Sequence, residues 1–357
     1  MDFRNPYLLR IDTTSPYAVE PIPDAMWQGI VQKITAGAVQ LMCQLDPSKK
    51  ELYESFLTTN AVTIPANTLT LFKAYFDGSH KDPALIEPLC RATAFKFATI
   101  IRFEYERSML RTKLDEVKIK NPLFVFNFPR CGSTFLYTLL SSHPKAHWVR
   151  SYEHMMPGST TMSLQSRKAF ATKILNAFTV EGNEEFKKIH HISCDQPEEE
   201  ALFFELYGQA FFQGYCLPRC DRVRRLLCET DFTNFYEAFV DEIRMHVLDE
   251  PMGDDEFLVF KSPNHLMSTY NFFKTVQTHC ENPRFLWIHR ETTRKLKSII
   301  PMVALIRKRF VGDYGLDDYE ALNRNVIDMV DAESRNSIAA REAWLAENPN
   351  NKKMLLD

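Results

Sequence analysis

Arg130, Lys261 and Arg290 each close a short apolar run: Leu123–Phe128 leads into Pro129-Arg130, Phe257–Phe260 into Lys261, and Phe285–His289 into Arg290. In an open parallel sheet the ligand sits at the carboxyl ends of the strands, so three cations at three such ends describe an anion site. The first loop reads Pro129-Arg-Cys-Gly-Ser-Thr134 and runs straight into a helix-like segment, 135–140. Gly132 permits a sharp turn. Ser133 and Thr134 offer hydroxyls and backbone N–H groups at a helix N-terminus, where a phosphate is stabilised. Arg130 adds a planar donor. The loop lacks the Walker lysine, and its bland alternative is a strand–helix turn with a capping hydroxyl. Ser298 lies eight residues after Arg290 within the helix-like run 294–300, so both can face one phosphate. Their alternative is a solvated arginine and an ordinary helix serine.

The elements around these loops divide the chain. From Asp24 to Val117 the pattern is helical, with Asp24 as a cap, an apolar stripe at Met26, Ile30, Ile34 and Val39, and a second run from Pro83 to Leu110. At Asn121 it changes to a buried strand followed by a helix, the opening of a parallel α/β sheet. Residues 160–250 read as mainly helical, with Asp195 as a cap, Pro197 in the first turn and Glu198, Glu199 and Glu200 as first-turn acids. The expected organisation is a helical region over 1–120 and a nucleotide-binding α/β core over 121–357.

Composition narrows the function classes. The 357 residues carry 43 Lys plus Arg against 46 Asp plus Glu, a net charge of -3, which argues against a nucleic-acid or membrane-surface binder. The cysteines are scattered; Cys216, Cys220 and Cys228 cluster without zinc-ligand spacing, so no metal is expected. The N-terminus lacks a signal-peptide core, and the longest apolar stretch, Phe95–Phe103, is broken by Lys96 and Arg102. A cytoplasmic protein without a membrane span is the expectation.

Taken in register, the loop 129–134, Lys261-Ser-Pro-Asn-His-Leu266 and His289-Arg290 with Ser298 resemble the sulfotransferase family whose first loop reads P-R-S-G-T-T, a branch that includes tyrosyl-protein and small-molecule sulfotransferases. The resemblance spans roughly 121–357. It implies a P-loop-like three-layer α/β fold and transfer of a sulfuryl group from 3′-phosphoadenosine 5′-phosphosulfate, leaving adenosine 3′,5′-bisphosphate. It further implies that Arg130, Cys131, Gly132, Ser133 and Thr134 hold the 5′-phosphosulfate, that Arg290 and Ser298 grip the 3′-phosphate, and that Lys261 reaches toward the sulfuryl group. Glu153, in Ser151-Tyr-Glu-His154, is the nearest match to the family's glutamate base, a residue or two displaced. His265 is the second candidate to take or position the acceptor proton. The acceptor is a hydroxyl or amine of a small molecule or peptide. Sulfuryl transfer resembles phosphoryl transfer, an in-line displacement ruled by positioning and charge stabilisation.

Three departures stand beside the match. Cys131 replaces the usual serine and places a thiol at a helix N-terminus, where thiols can be reactive. Arg290-Glu-Thr-Thr lacks the family's Asp-Pro, and the sequence ends at Asp357, where the family continues beyond a strand. A nucleotide binder without transfer is therefore the alternative, with a P-loop nucleotide kinase behind it.

Overall fold

The computed structural model describes residues 20–58, 64–77, 83–179, 193–209, 226–227, 230–311 and 319–356. The first third is helical, as the pattern implied: α1 (Asp24–Leu45), α2 (Lys50–Thr58), α3 (Ala66–Phe76), α4 (Pro83–Met109) and α5 (Arg111–Glu116). Asp24 is not a cap but the first helical residue, after Pro23; its carboxylate pairs with Lys73 of α3. The buried stripe of α1 is Trp27, Ile34, Ala38, Val39 and Met42, while Met26 is exposed. Spacings of seven and four residues keep that stripe on one face.

Beyond α5 lies a main sheet of β2 (Leu123–Asn127), β3 (Ala146–His147), β4 (Phe257–Lys261), β6 (Arg284–Ile288) and β7 (Leu355–Leu356), in the order β3-β4-β2-β6-β7. All its pairings are parallel. A smaller parallel pair joins β1 (Ile119–Lys120) to β5 (Cys280–Glu281). Parallel neighbours need crossovers, and helices supply them. α6 (Ser133–Ser141) follows β2. Between β3 and β4 come α7 (Ser151–Met155), α8 (Leu164–Thr179), α9 (Ala201–Leu206) and α10 (Thr233–Asp249). α11 (Thr269–His279) follows β4, and α12 (Thr292–Val311) and α13 (Tyr319–Glu347) follow β6.

Helices cover both faces, which is why the strands read as continuous apolar runs. On one face Phe124 stacks on Phe260 at 4.9 Å and on Phe285 at 5.9 Å, under Phe239 of α10 and Phe272 of α11. On the other, Tyr137 of α6 donates to the Val259 carbonyl at 3.5 Å. Each buried aromatic contributes about 1.5–3 kcal/mol, so this stack fixes the heights of the three central strands. The helical third shares the same core, since Ile34 of α1 and Phe285 of β6 belong to one buried cluster. Among the described residues, no helix is long and apolar enough to cross a membrane.

Candidate active site

The loop between β2 and α6 turns through two left-handed residues, Arg130 at φ 70 and Gly132 at φ 87. Glycine adopts that conformation freely, whereas arginine is strained in it. A Cβ added to Gly132 would meet nothing within 4 Å, so it is the backbone angle that calls for glycine, and open space lies beside it. The strain at Arg130 is held from β6: Arg290 Nη1 donates to the Arg130 carbonyl at 2.6 Å. Arg130 Nε in turn donates to Ser298 Oγ of α12 at 3.0 Å. Gly132 is also the N-cap of α6 and has no side chain to accept from the first-turn N–H groups, an arrangement suited to an anion. Ser133 there is buried and Thr134 exposed. The structure thus brings together Arg130, Cys131, Gly132, Ser133, Thr134, Arg290 and Ser298. At Cys131 burial pushes the thiol up, against the pull of Lys295 and Arg290, so it is not poised as a thiolate.

Lys261 ends β4 with its side chain buried on the α6 face, its ammonium 5.8 Å over the Tyr137 ring. It forms an ion pair with Glu199, and its backbone N–H donates to Glu200 Oε2 at 3.1 Å. The segment 195–200 therefore departs from the expected capped helix start. α9 begins only at Ala201, Glu200 occupies the N-cap position without a side-chain cap bond, and Pro197 bridges to Arg150. Carboxylates engaged by Lys261 are not available to cap a helix. Burial raises the Tyr137 hydroxyl well above its usual range, and the nearby charges of Glu200, Glu198, Glu199 and Glu153 add to it.

Glu153 is buried at the third position of α7 in a reciprocal cap with Arg150. Its Oε2 accepts from the Arg150 backbone N–H at 2.8 Å and from Nη1 at 3.2 Å, and its Oε1 faces His246 Nδ1 at 3.1 Å. Burial pushes its pKa up, but His246 and Arg150 outweigh that and bring it to about 2. A carboxylate so acidic is a weak base at neutral pH. His265 is fully buried, stacked on Phe272 at 3.8 Å, with Tyr236 Oη 3.3 Å from Nδ1 and Glu200 Oε1 3.6 Å from Nε2. Burial lowers its pKa despite Glu200. Its surroundings suit a positioning role better than proton exchange with an acceptor.

Sequence reasoning missed Glu199, Tyr137 and Lys295. The spacing of Tyr137, one turn into the helix after the loop, pointed to the site; the loop position of Glu199 gave no signal. The Cys216, Cys220 and Cys228 cluster lies outside the described residues. Two shallow cavities lie near the amino ends of the strands, one lined by Asn121, Leu123, Phe257, Asn282, Arg284 and Leu356, the other by residues including Glu116 and Lys120. That is the wrong end of a parallel sheet for its ligand.

A parallel sheet whose three central strands end in cations, two of them in loops hydrogen-bonded to each other, is where an open α/β fold holds an anionic ligand. Residues 122–343 match the sulfotransferase family. The chain belongs to that family, and it is a sulfotransferase enzyme. Among solved structures it is similar to sulfotransferase STF9 from Mycobacterium avium, with a TM-score of 0.66 at 16% identity over 86% of this chain and 75% of that one. Sulfotransferase STF1 from Mycobacterium tuberculosis H37Rv gives 0.63 at 14% identity over 90% and 86%. These likenesses support the fold. No curated protein matches the sequence.

Proposed function

We propose that the enzyme takes the sulfuryl group from 3′-phosphoadenosine 5′-phosphosulfate and passes it in line to a hydroxyl or amine of a small-molecule or peptide acceptor. The observation that carries the reading is the Arg290–Arg130–Ser298 linkage, which ties a left-handed glycine loop at a helix N-terminus to a second cationic strand end. In this reading Arg130, Cys131, Gly132, Ser133 and Thr134 surround the 5′-phosphosulfate, while Arg290 and Ser298 take the 3′-phosphate. Fixed cations and helix-end N–H groups stabilise charge as the phosphate leaves. The space beside Gly132 gives a phosphate room to approach the backbone.

Lys261, at the end of β4 and over the Tyr137 ring of α6, supplies the cation for the bridging oxygen once Glu199 releases it. Glu153 and His265 complete the proposal as the residues that orient the acceptor side: Glu153 fixes Arg150 and His246, and His265 backs Glu200. The helical region, 1–120, and the nucleotide-binding core, 121–357, are the two proposed parts of this cytoplasmic protein, and the reaction as proposed uses no metal. The test is transfer of labelled sulfuryl from the donor across a panel of phenols, sterols, amines and tyrosine peptides, with and without magnesium chelator. Chelator-insensitive labelling of an acceptor is expected. Phosphoryl transfer from magnesium ATP in its place overturns the reading.

A further inference from the structure

Among the described residues, buried Lys261 is matched to Glu199, and half-buried Lys96 and Lys73 to Glu205 at 4.0 Å and to Asp24. Lys295 departs from that rule. It lies in the first turns of α12, only 6% exposed, with its ammonium 4.0 Å from the centroid of the Phe128 ring. Among the described residues it has no ion pair; Glu333 reaches it only electrostatically. A cation–π contact is worth about 0.5–2 kcal/mol. That contact leaves the ammonium partly desolvated, with no described carboxylate in ion-pair contact. Consistently, burial lowers its pKa.

The position of this cation identifies the anion that completes it. Phe128 is the residue before Pro129, so the ammonium sits against the root of the phosphate loop, within electrostatic reach of Cys131. Lys295 is three residues before Ser298, on the same face of α12, and three residues apart are neighbours on a helix. Ser298 already touches Arg130, whose carbonyl holds Arg290. We infer that Lys295 is a third ligand of the nucleotide's 3′-phosphate, beside Arg290 and Ser298. The inference rests on the nucleotide reading above and adds a residue to it. A doubly charged phosphate there pairs with the ammonium, so nucleotide binding bears on the loop root that Lys295 touches.

The test compares the full chain with Lys295→Met and Lys295→Arg, by calorimetric titration with adenosine 3′,5′-bisphosphate and with adenosine 5′-monophosphate, plus thermal denaturation without ligand. Lys295→Met is expected to weaken the bisphosphate about 10- to 100-fold, the loss of a charged hydrogen bond. It leaves the monophosphate unchanged and keeps or raises the melting temperature, because a partly desolvated charge is gone. Lys295→Arg restores most of the bisphosphate affinity. Bisphosphate affinity unchanged in Lys295→Met, equal losses for both nucleotides, or a lowered melting temperature overturns the inference; Lys295→Gln replaces the Met variant should that fail to fold. If Arg290→Ala loses the bisphosphate while Lys295→Met does not, only this inference falls. If the unsubstituted chain binds neither nucleotide, the nucleotide reading falls with it.

Discussion

Arg290 and Arg130 meet guanidinium to carbonyl: Nη1 of the first donates at 2.6 Å to the backbone oxygen of the second, a residue at φ 70. The exposed arginine at the end of β6 therefore supports the strained backbone of the loop that follows β2. Arg290→Ala removes both that support and a proposed phosphate ligand. It is expected to weaken adenosine 3′,5′-bisphosphate about 10- to 150-fold, the range for a charged hydrogen bond, and adenosine 5′-monophosphate much less. Equal weakening of both, measured by calorimetry, makes Arg290 a loop support only.

Lys261 and Glu199 make a second decisive pair. Glu199 competes with the donor for the same ammonium, so Glu199→Gln should tighten binding of 3′-phosphoadenosine 5′-phosphosulfate. Lys261→Ala should lower the single-turnover rate about 10²–10³-fold, as for loss of an electrostatic stabiliser. Rapid-quench assays with labelled donor and an acceptor found by the panel separate chemistry from product release. A Glu199→Gln variant with weaker donor binding contradicts the competition.

Much of this site was legible in the sequence because strand-end loops are local. A run such as Leu123–Phe128 and the Gly-Ser-Thr after it lie within a dozen residues, and parallel topology then dictates that their ends converge. The 195–200 segment was misread for the opposite reason. Asp195-Gln-Pro-Glu-Glu-Glu200 has every local mark of a helix start, but Lys261, more than sixty positions along, claims Glu199. Long-range ion pairs override local propensity, and one sequence does not display them. The burial of His265 among Phe124, Phe204, Tyr236 and Phe272 was hidden in the same way.

The acidity of Glu153 predicts a pH dependence of stability. Its ordinary value is 4.5, and the folded value is about 2. Between these the unfolded chain holds a proton that the folded chain does not. The contribution is therefore complete above about pH 5 and is lost as pH falls toward 2; it amounts to about 3 kcal/mol. Denaturant titrations at pH 7 and pH 3 should show a smaller acid loss for Glu153→Gln than for the unsubstituted protein. Identical losses contradict the assignment.

Gly158 predicts a failure of folding energetics rather than chemistry. It has φ 81, and a Cβ there would strike the carboxylate of Glu106. That carboxylate cannot retreat, since it pairs with buried Arg102 at 2.5 Å and accepts from the N–H groups of Thr160 at 3.1 Å and Thr161 at 3.0 Å. Gly158→Ala should cost about 1–3 kcal/mol from the backbone strain alone, seen as a lowered melting temperature. An unchanged melting temperature shows that the 157–161 loop yields.

The central claim is that the ends of β2, β4 and β6 form a site for a nucleotide carrying both 3′- and 5′-phosphates, and thermal denaturation of the full chain with three ligands tests it most directly. Adenosine 3′,5′-bisphosphate at roughly 100 times its dissociation constant should add about 2.7 kcal/mol of stability, with or without a metal chelator. Adenosine 5′-monophosphate and magnesium ATP at the same concentration should shift the melting temperature much less. A shift from magnesium ATP that equals or exceeds that from the bisphosphate, or no shift from the bisphosphate, contradicts the account.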